Sequence, residues 1–148
     1  MLYFLIKKSY KGRFMKRILL MSLLAGSLLF AEGTSNKSQI KTMQTLESAM
    51  EMVQKGFLYN NSNIIENAIV DLKRTLLEVN AFEIKVDPKE QGKDFNAKAY
   101  VSTEVTAIDK LVTEMGKLYK EGKKDEALAT FSKTLSRCVV CHKVIRKW

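Results

Sequence analysis

The chain has 148 residues, enough for one domain or two very small ones. Two cysteines, one proline and seven glycines argue against a disulfide-stapled scaffold and against a turn-rich all-β protein. The net charge of +9 would suit a nucleic-acid binder, but six basic residues and no acidic residue fall within residues 1–31. Beyond them 19 basic residues stand against 16 acidic ones, so no nucleic-acid partner is predicted.

Residues 1–31 have the three-part layout of a secretory signal peptide. A basic tripeptide that begins at Met15 precedes an apolar run over residues 18–30, and Ala31 is a small residue suited to cleavage. The run is too short to span a bilayer comfortably, which favours a cleaved signal over an uncleaved anchor. Met15 is the expected true start, and residues 32–148 are then an exported, periplasmic domain without stable membrane insertion.

The exported part repeats apolar residues at three- and four-residue steps, the spacing of amphipathic helices. Four helices are predicted, over about 36–56, 63–79, 97–120 and 124–148. Asn36 and Asn63 begin capping-box patterns, and Gly56 and Gly122 are predicted stops. The long connection, residues 80–96, holds the only proline. Two short turns and one long connection predict an all-α, antiparallel up-down-up-down four-helix bundle, with its charged residues on solvated faces.

The last helix contains Cys138-Val139-Val140-Cys141-His142, the C-x-x-C-H pattern of covalent haem attachment. Residues three apart share one helix face, so both thiols can reach the vinyl groups of one porphyrin, and the histidine can bind its iron. A redox dithiol would sit at a helix start, and a zinc site would need further ligands that the chain lacks. The pattern therefore predicts one covalently attached haem c, with His142 as an iron ligand.

A C-x-x-C-H motif at the end of a four-helix chain resembles the cytochrome c-prime superfamily, and more closely its b-type branch, the small periplasmic four-helix cytochromes b. In the last helix, His142 falls on the haem-binding histidine of that branch, and Arg146 follows four residues later. In the first helix, the segment beginning Met43-Gln44 resembles the one that carries the axial methionine. The resemblance implies Met43 as second axial ligand, on a scaffold whose two cysteines make the haem covalent.

Counting along the helices supports the same methionine. In an antiparallel bundle the end of the last helix lies beside the start of the first, so His142 and Met43 are each about 10 Å from that end of the bundle. Met50 lies about 10 Å further along and Met52 is off the apolar stripe. Periodicity alone predicts further haem-pocket residues: Leu46, Met50, Val101, Val105 and Leu135. Arg137 and Arg146 are candidates to pair with haem propionates or to be solvated residues near the helix end.

These features predict a periplasmic electron carrier, not an enzyme, because a haem with two protein ligands leaves no coordination site for a substrate. Its expected partners are periplasmic redox proteins, and homodimerisation stays open. A rival interpretation is a five-coordinate cytochrome c-prime-like protein that binds nitric oxide or carbon monoxide, with Met43 only packing. A third is a structural bundle without haem.

Overall fold

The computed structural model describes residues 37–147. The chain divides into two compact units, Met1–Ile40 and Lys41–Trp148, and the described part of the first, residues 37–40, is helical. The predicted signal peptide and the predicted capping residue Asn36 lie outside the described residues. Apart from the first four residues of the first helix, the second unit contains all the features that follow.

Residues 37–147 form five helices and no strand, which confirms the all-α prediction for this part of the chain. The helices are α1 (37–58), α2 (Ser62–Asn80), α3 (Pro88–Gln91), α4 (Ala97–Lys120) and α5 (Lys124–Arg146). The bounds of α4 and the start of α5 are as predicted. The stop at Gly122 is confirmed, with a φ of 76° that favours glycine.

The single turn of α3 inside the long connection was not predicted. The Asp87 side chain accepts a hydrogen bond from the backbone N–H of Lys89 at 2.8 Å, as a helix cap does. Pro88 then occupies the first helical position, where its missing N–H costs nothing because no partner would be available there.

The turn between α1 and α2 differs from the predicted one. The Asn61 side chain accepts a hydrogen bond from the backbone N–H of Ile64 at 3.2 Å, so α2 begins at Ser62 and the predicted cap at Asn63 is wrong. Asn60, with a φ of 50°, supplies the left-handed turn residue. The turn is therefore made by Asn60 and Asn61, and α1 ends at residue 58, two residues after the predicted stop at Gly56.

Gly56 lies within α1 and serves close packing instead of ending the helix. A Cβ at this position would lie 2.3 Å from Cγ1 of Ile65 and 3.1 Å from its backbone nitrogen. Gly56→Ala is therefore expected to destabilise the fold by about 1–3 kcal/mol, despite the better helix propensity of alanine. Gly116→Ala is the matched control, because the obstructing atom there is the movable Cδ1 of Ile69. Urea unfolding of both variants tests this, and equal stabilities would contradict it.

The main core joins α1, α2, α4 and the start of α5. Its buried apolar side chains are Ala49, Val53, Ile65, Ala68, Leu72, Leu76, Ile108, Val112, Met115, Tyr119 and Ala127. Phe57 packs edge-on against Tyr119, with 5.4 Å between ring centroids, and also contacts Phe131 at 6.0 Å. These aromatic contacts connect α1 to both α4 and α5 at one end of the core.

Ion pairs and hydrogen bonds cross between the helices along their length. Thr42, early in α1, donates to Glu78, late in α2, at 3.0 Å. Glu66, early in α2, pairs with Lys120, late in α4, at 3.6 Å. Each contact joins the early part of one helix to the late part of its neighbour. No helix within residues 37–147 is long and apolar enough to cross a membrane.

Candidate functional site

The two halves of α5 are buried to different degrees. In the first half Ala127, Thr130 and Thr134 are almost completely buried. In the second half Cys138 and Cys141 continue the same helix face, yet both are only partly buried. The motif therefore lies where the packing of α5 against its neighbours becomes looser.

Two leucines of α5 are exposed, and one of them, Leu135, was predicted to face inward. Leu128 is 48% exposed and Leu135 is 49% exposed, so the prediction of an inward-facing Leu135 is wrong. The inward positions belong to Thr130 and Thr134, whose hydroxyls each donate to the backbone carbonyl one turn earlier at 2.9 Å. Such local bonds allow a threonine to be buried without a cross-helix partner.

Both cysteines are free thiols on the same face of α5. Burial, with a smaller contribution from the charge of Glu104, raises the pKa of the Cys138 thiol. Burial raises the pKa of Cys141 to about 11, and the charge of Glu104 adds to this effect. The two groups are therefore protonated at neutral pH, in contrast to the thiolates of a redox dithiol.

Glu104 on α4 is the only carboxylate that is fully buried among residues 37–147, with 6% of its surface exposed. Both of its oxygens accept hydrogen bonds from Nη1 of Arg137, at 3.1 and 3.2 Å. The expectation that all helix charges are solvated is therefore wrong for Glu104. A sequence signal existed, because Glu104 lies three residues after Val101 and four before Ile108 on the buried stripe of α4.

His142 is half-buried, next to Cys141 and one turn before Arg146. Burial, aided by the nearby positive charge of Arg146, lowers the pKa of its imidazole. The side chain is therefore neutral at pH 7, which is the form that binds metal ions. Arg146 itself is exposed near the end of α5.

The connection between α2 and α4 contacts the same end of α5. The side-chain amide of Gln91, in α3, donates to the backbone carbonyl of Val144. Nζ of Lys147 donates to the carbonyl of Glu90 at 3.4 Å. The Val144 carbonyl is one of the last four in the helix, which have no partner within it. The connection therefore holds the last turn of α5, immediately after His142.

The residues of α1 and α4 predicted to surround the motif are partly accessible as well, except Val101, which is buried. Met43, Leu46 and Met50 are half-buried along one flank of α1, the flank that also carries Phe57. Leu46 and Met50 pack against the main core. On α4, Val101 is 4% exposed and Val105 is half-buried against the core.

A cavity of about 300 Å³ lies elsewhere, between α1 and α2. Polar and charged side chains such as Lys41, Ser48 and Arg74 line it, and it includes none of the residues predicted to bind haem. Residues 37–147 also contain no cluster of three or more histidine, cysteine, aspartate or glutamate side chains able to hold a metal ion. Comparison with protein families, curated proteins and solved structures finds no match to the chain.

The raised pKa of Cys141 predicts slow thiol chemistry in protein made without haem. With a pKa of about 11, about one thiol in a thousand is ionised at pH 8, against about one in four for an ordinary cysteine. We expect alkylation of Cys141 by iodoacetamide at pH 8 to be about 250-fold slower than that of free cysteine, in proportion to the ionised fractions. The same protein in concentrated urea is the control and should react at the free rate. Equal rates in the native and unfolded states would contradict this.

Proposed function

We propose that the protein is a periplasmic c-type cytochrome with one haem, which carries single electrons. Cys138 and Cys141 would hold the haem covalently, and His142 and Met43 would bind its iron. The fold that we propose for this role is an antiparallel up-down-up-down four-helix bundle formed by α1, α2, α4 and α5. The observation that carries the proposal is the C-x-x-C-H motif on one partly covered helix face.

The contacts between helices support the antiparallel arrangement. Thr42 with Glu78, Glu66 with Lys120, and Phe57 with Phe131 each join the early part of one helix to the late part of another. Three residues separate α1 from α2, and three separate α4 from α5. Connections this short favour antiparallel neighbours.

The chemistry of the donor groups fits a haem. Both thiols are free, protonated and on one helix face, so each can add across a vinyl group, with sulfur bonding to one carbon and hydrogen to the other. The lowered pKa of His142 favours the neutral imidazole, which is the form that binds haem iron. Val105 offers a partly exposed apolar surface on α4, one turn after the buried Val101, and Arg146 is an exposed cation able to pair with a propionate.

Half-buried apolar residues on the facing flanks of α1 and α5 support a haem between these helices. Met43, Leu46 and Met50 lie on the Phe57 flank of α1, and half-buried Phe131 and His142 share one flank of α5. Phe57 and Phe131 are in contact, so these flanks face each other. A planar apolar group between them would cover side chains that are otherwise exposed to water.

The Phe57–Phe131 contact also tests the alignment of the proposed axial ligands. Measured from that contact, Met43 is about 21 Å along α1 and His142 about 16 Å along α5, a difference of about one helical turn. Met50 is about 10 Å along α1 from the same contact. It is therefore closer to the contact than His142 is, whereas Met43 is further from it. Met50 already packs against the main core, which favours Met43 as the ligand.

One observation favours the five-coordinate alternative. Leu46 and His142 are both eleven residues from the contacting phenylalanines, so Leu46 is level with His142. If Leu46 covers the iron, Met43 does not reach it, and the protein becomes a cytochrome c-prime-like binder of nitric oxide or carbon monoxide. Carbon monoxide binding by the wild-type protein separates these two functions.

A haem supplies an iron atom that exchanges one electron. The protein's own residues hold the ligands, exclude water and leave one edge near the surface for partners, which we propose to be periplasmic redox proteins. Because His142 and Met43 would fill both axial positions of the iron, the proposed function includes no reaction of a substrate at the iron. The basic end of α5, with Lys143, Arg146 and Lys147 exposed, favours an acidic partner.

The test is an optical spectrum of the mature protein, produced with haem-maturation machinery, in both oxidation states. The proposal expects a low-spin, six-coordinate haem c that responds poorly to carbon monoxide. A high-spin spectrum with ready carbon monoxide binding would replace it by the gas-binding function. Absence of a Soret band would exclude both.

A further inference from the structure

We propose that the buried Glu104–Arg137 ion pair sets the reduction potential of the haem, with Glu104 lowering it and Arg137 opposing that effect. This proposal rests on the proposed function. It assigns a positioning and electrostatic role to two residues that neither hold the haem nor bind its iron.

The geometry of the pair gives Glu104 a fixed position. Two hydrogen bonds from one nitrogen of Arg137 hold the carboxylate at 3.1 and 3.2 Å, and the Glu104 side chain is only 8% exposed. Arg137 is half-exposed, so water screens its charge more than that of the carboxylate. The protein interior beside α5 therefore experiences a net negative charge from the pair.

The pair lies next to the haem-attachment motif. Arg137 immediately precedes Cys138, and the charge of Glu104 contributes to the raised pKa of both cysteine thiols. Burial raises the pKa of Tyr100, the charges of Glu104 and Cys141 add to this effect, and the charge of Arg137 opposes it. Glu104 and Tyr100 on α4 and Arg137 on α5 therefore share one electrostatic environment with the two sulfurs that would join the porphyrin.

Oxidation of haem iron adds one positive charge to the site. A nearby buried carboxylate stabilises the oxidised state more than the reduced state, because charges interact strongly where water is excluded. Burial and charge around a haem are established means by which a protein adjusts its potential. Removing the Glu104 charge should therefore raise the potential, and removing the Arg137 charge should lower it.

The experiment is an optical redox titration at pH 8 of covalently loaded Glu104→Gln, compared with the wild-type protein. Glu66→Gln is the matched control, since it removes an exposed carboxylate of another ion pair on α2. We expect Glu104→Gln to shift the midpoint potential upward, at low and at high salt, with the wild-type visible spectrum. Glu66→Gln should leave the potential unchanged.

A haem-bearing Glu104→Gln protein with lowered stability and a wild-type potential would overturn this proposal alone, because its role would be structural. If Glu104→Gln does not fold, Arg137→Gln decides, with a downward shift expected and an unchanged or raised potential contradicting the proposal. A wild-type protein without covalent haem would overturn the proposed function, and this inference with it.

Discussion

Changing both Cys138 and Cys141 to serine is expected to turn a covalently bound haem into an extractable one. Acid-acetone should leave the haem on the wild-type polypeptide and remove it from the double variant. The intact mass of the wild-type protein should exceed that of the polypeptide by one haem. The reason is that serine hydroxyls do not add to vinyl groups under the conditions in which thiols do.

Val140→Ser is the matched control, because Val140 lies inside the motif, is 45% exposed and carries no predicted bond to haem. It should retain covalent haem. Each single cysteine variant should keep one thioether, so its haem should still resist extraction. Complete extraction of haem from the wild-type protein would refute covalent attachment.

Met43→Ala is expected to open the sixth coordination position of the iron. The ferrous protein should become high-spin and bind carbon monoxide readily, and its potential should fall as the thioether ligand is lost. Met43 is half-buried, so the loss of stability should be smaller than the about 2–5 kcal/mol of a fully buried Met→Ala change. Optical spectra with and without carbon monoxide, and a redox titration, measure these effects.

Met50→Ala is the control on the same flank of α1. It removes core packing, so it should lower the free energy of unfolding while the low-spin spectrum persists. A low-spin Met43→Ala protein together with a high-spin Met50→Ala protein would transfer the ligand role to Met50. A wild-type protein that already binds carbon monoxide would favour Leu46 above the iron and the gas-binding function.

The helices were predictable from sequence because their signals are local. Apolar spacing and the stop at Gly122 place α4 correctly, since neither depends on distant residues. The α1–α2 turn was predicted less well, because Gly56 is required for contact with Ile65, a residue of another helix. A glycine that ends a helix and a glycine that admits a neighbour are indistinguishable in sequence.

In the candidate site, too, local features were predictable and contacts between helices were not. The spacing of Cys138, Cys141 and His142 is local and visible in sequence. The place of Glu104 on the buried stripe of α4 is also visible in sequence. Its pairing with Arg137 is not, because it depends on how α4 packs against α5. The alignment of Leu46 with His142 likewise could not be predicted. It depends on the Phe57–Phe131 contact, which aligns two helices that are far apart in sequence.

The unequal burial of α5 has a consequence for how the protein would acquire the haem that we propose. The free energy of local opening is lowest where few apolar side chains are buried, and in α5 this is the part that follows Thr134. The last turns can then fray as a separate cooperative unit, restrained chiefly by the contact of Gln91 with Val144. Haem-attachment machinery could engage the two thiols there while Ala127 and Thr130 keep the rest of the helix anchored.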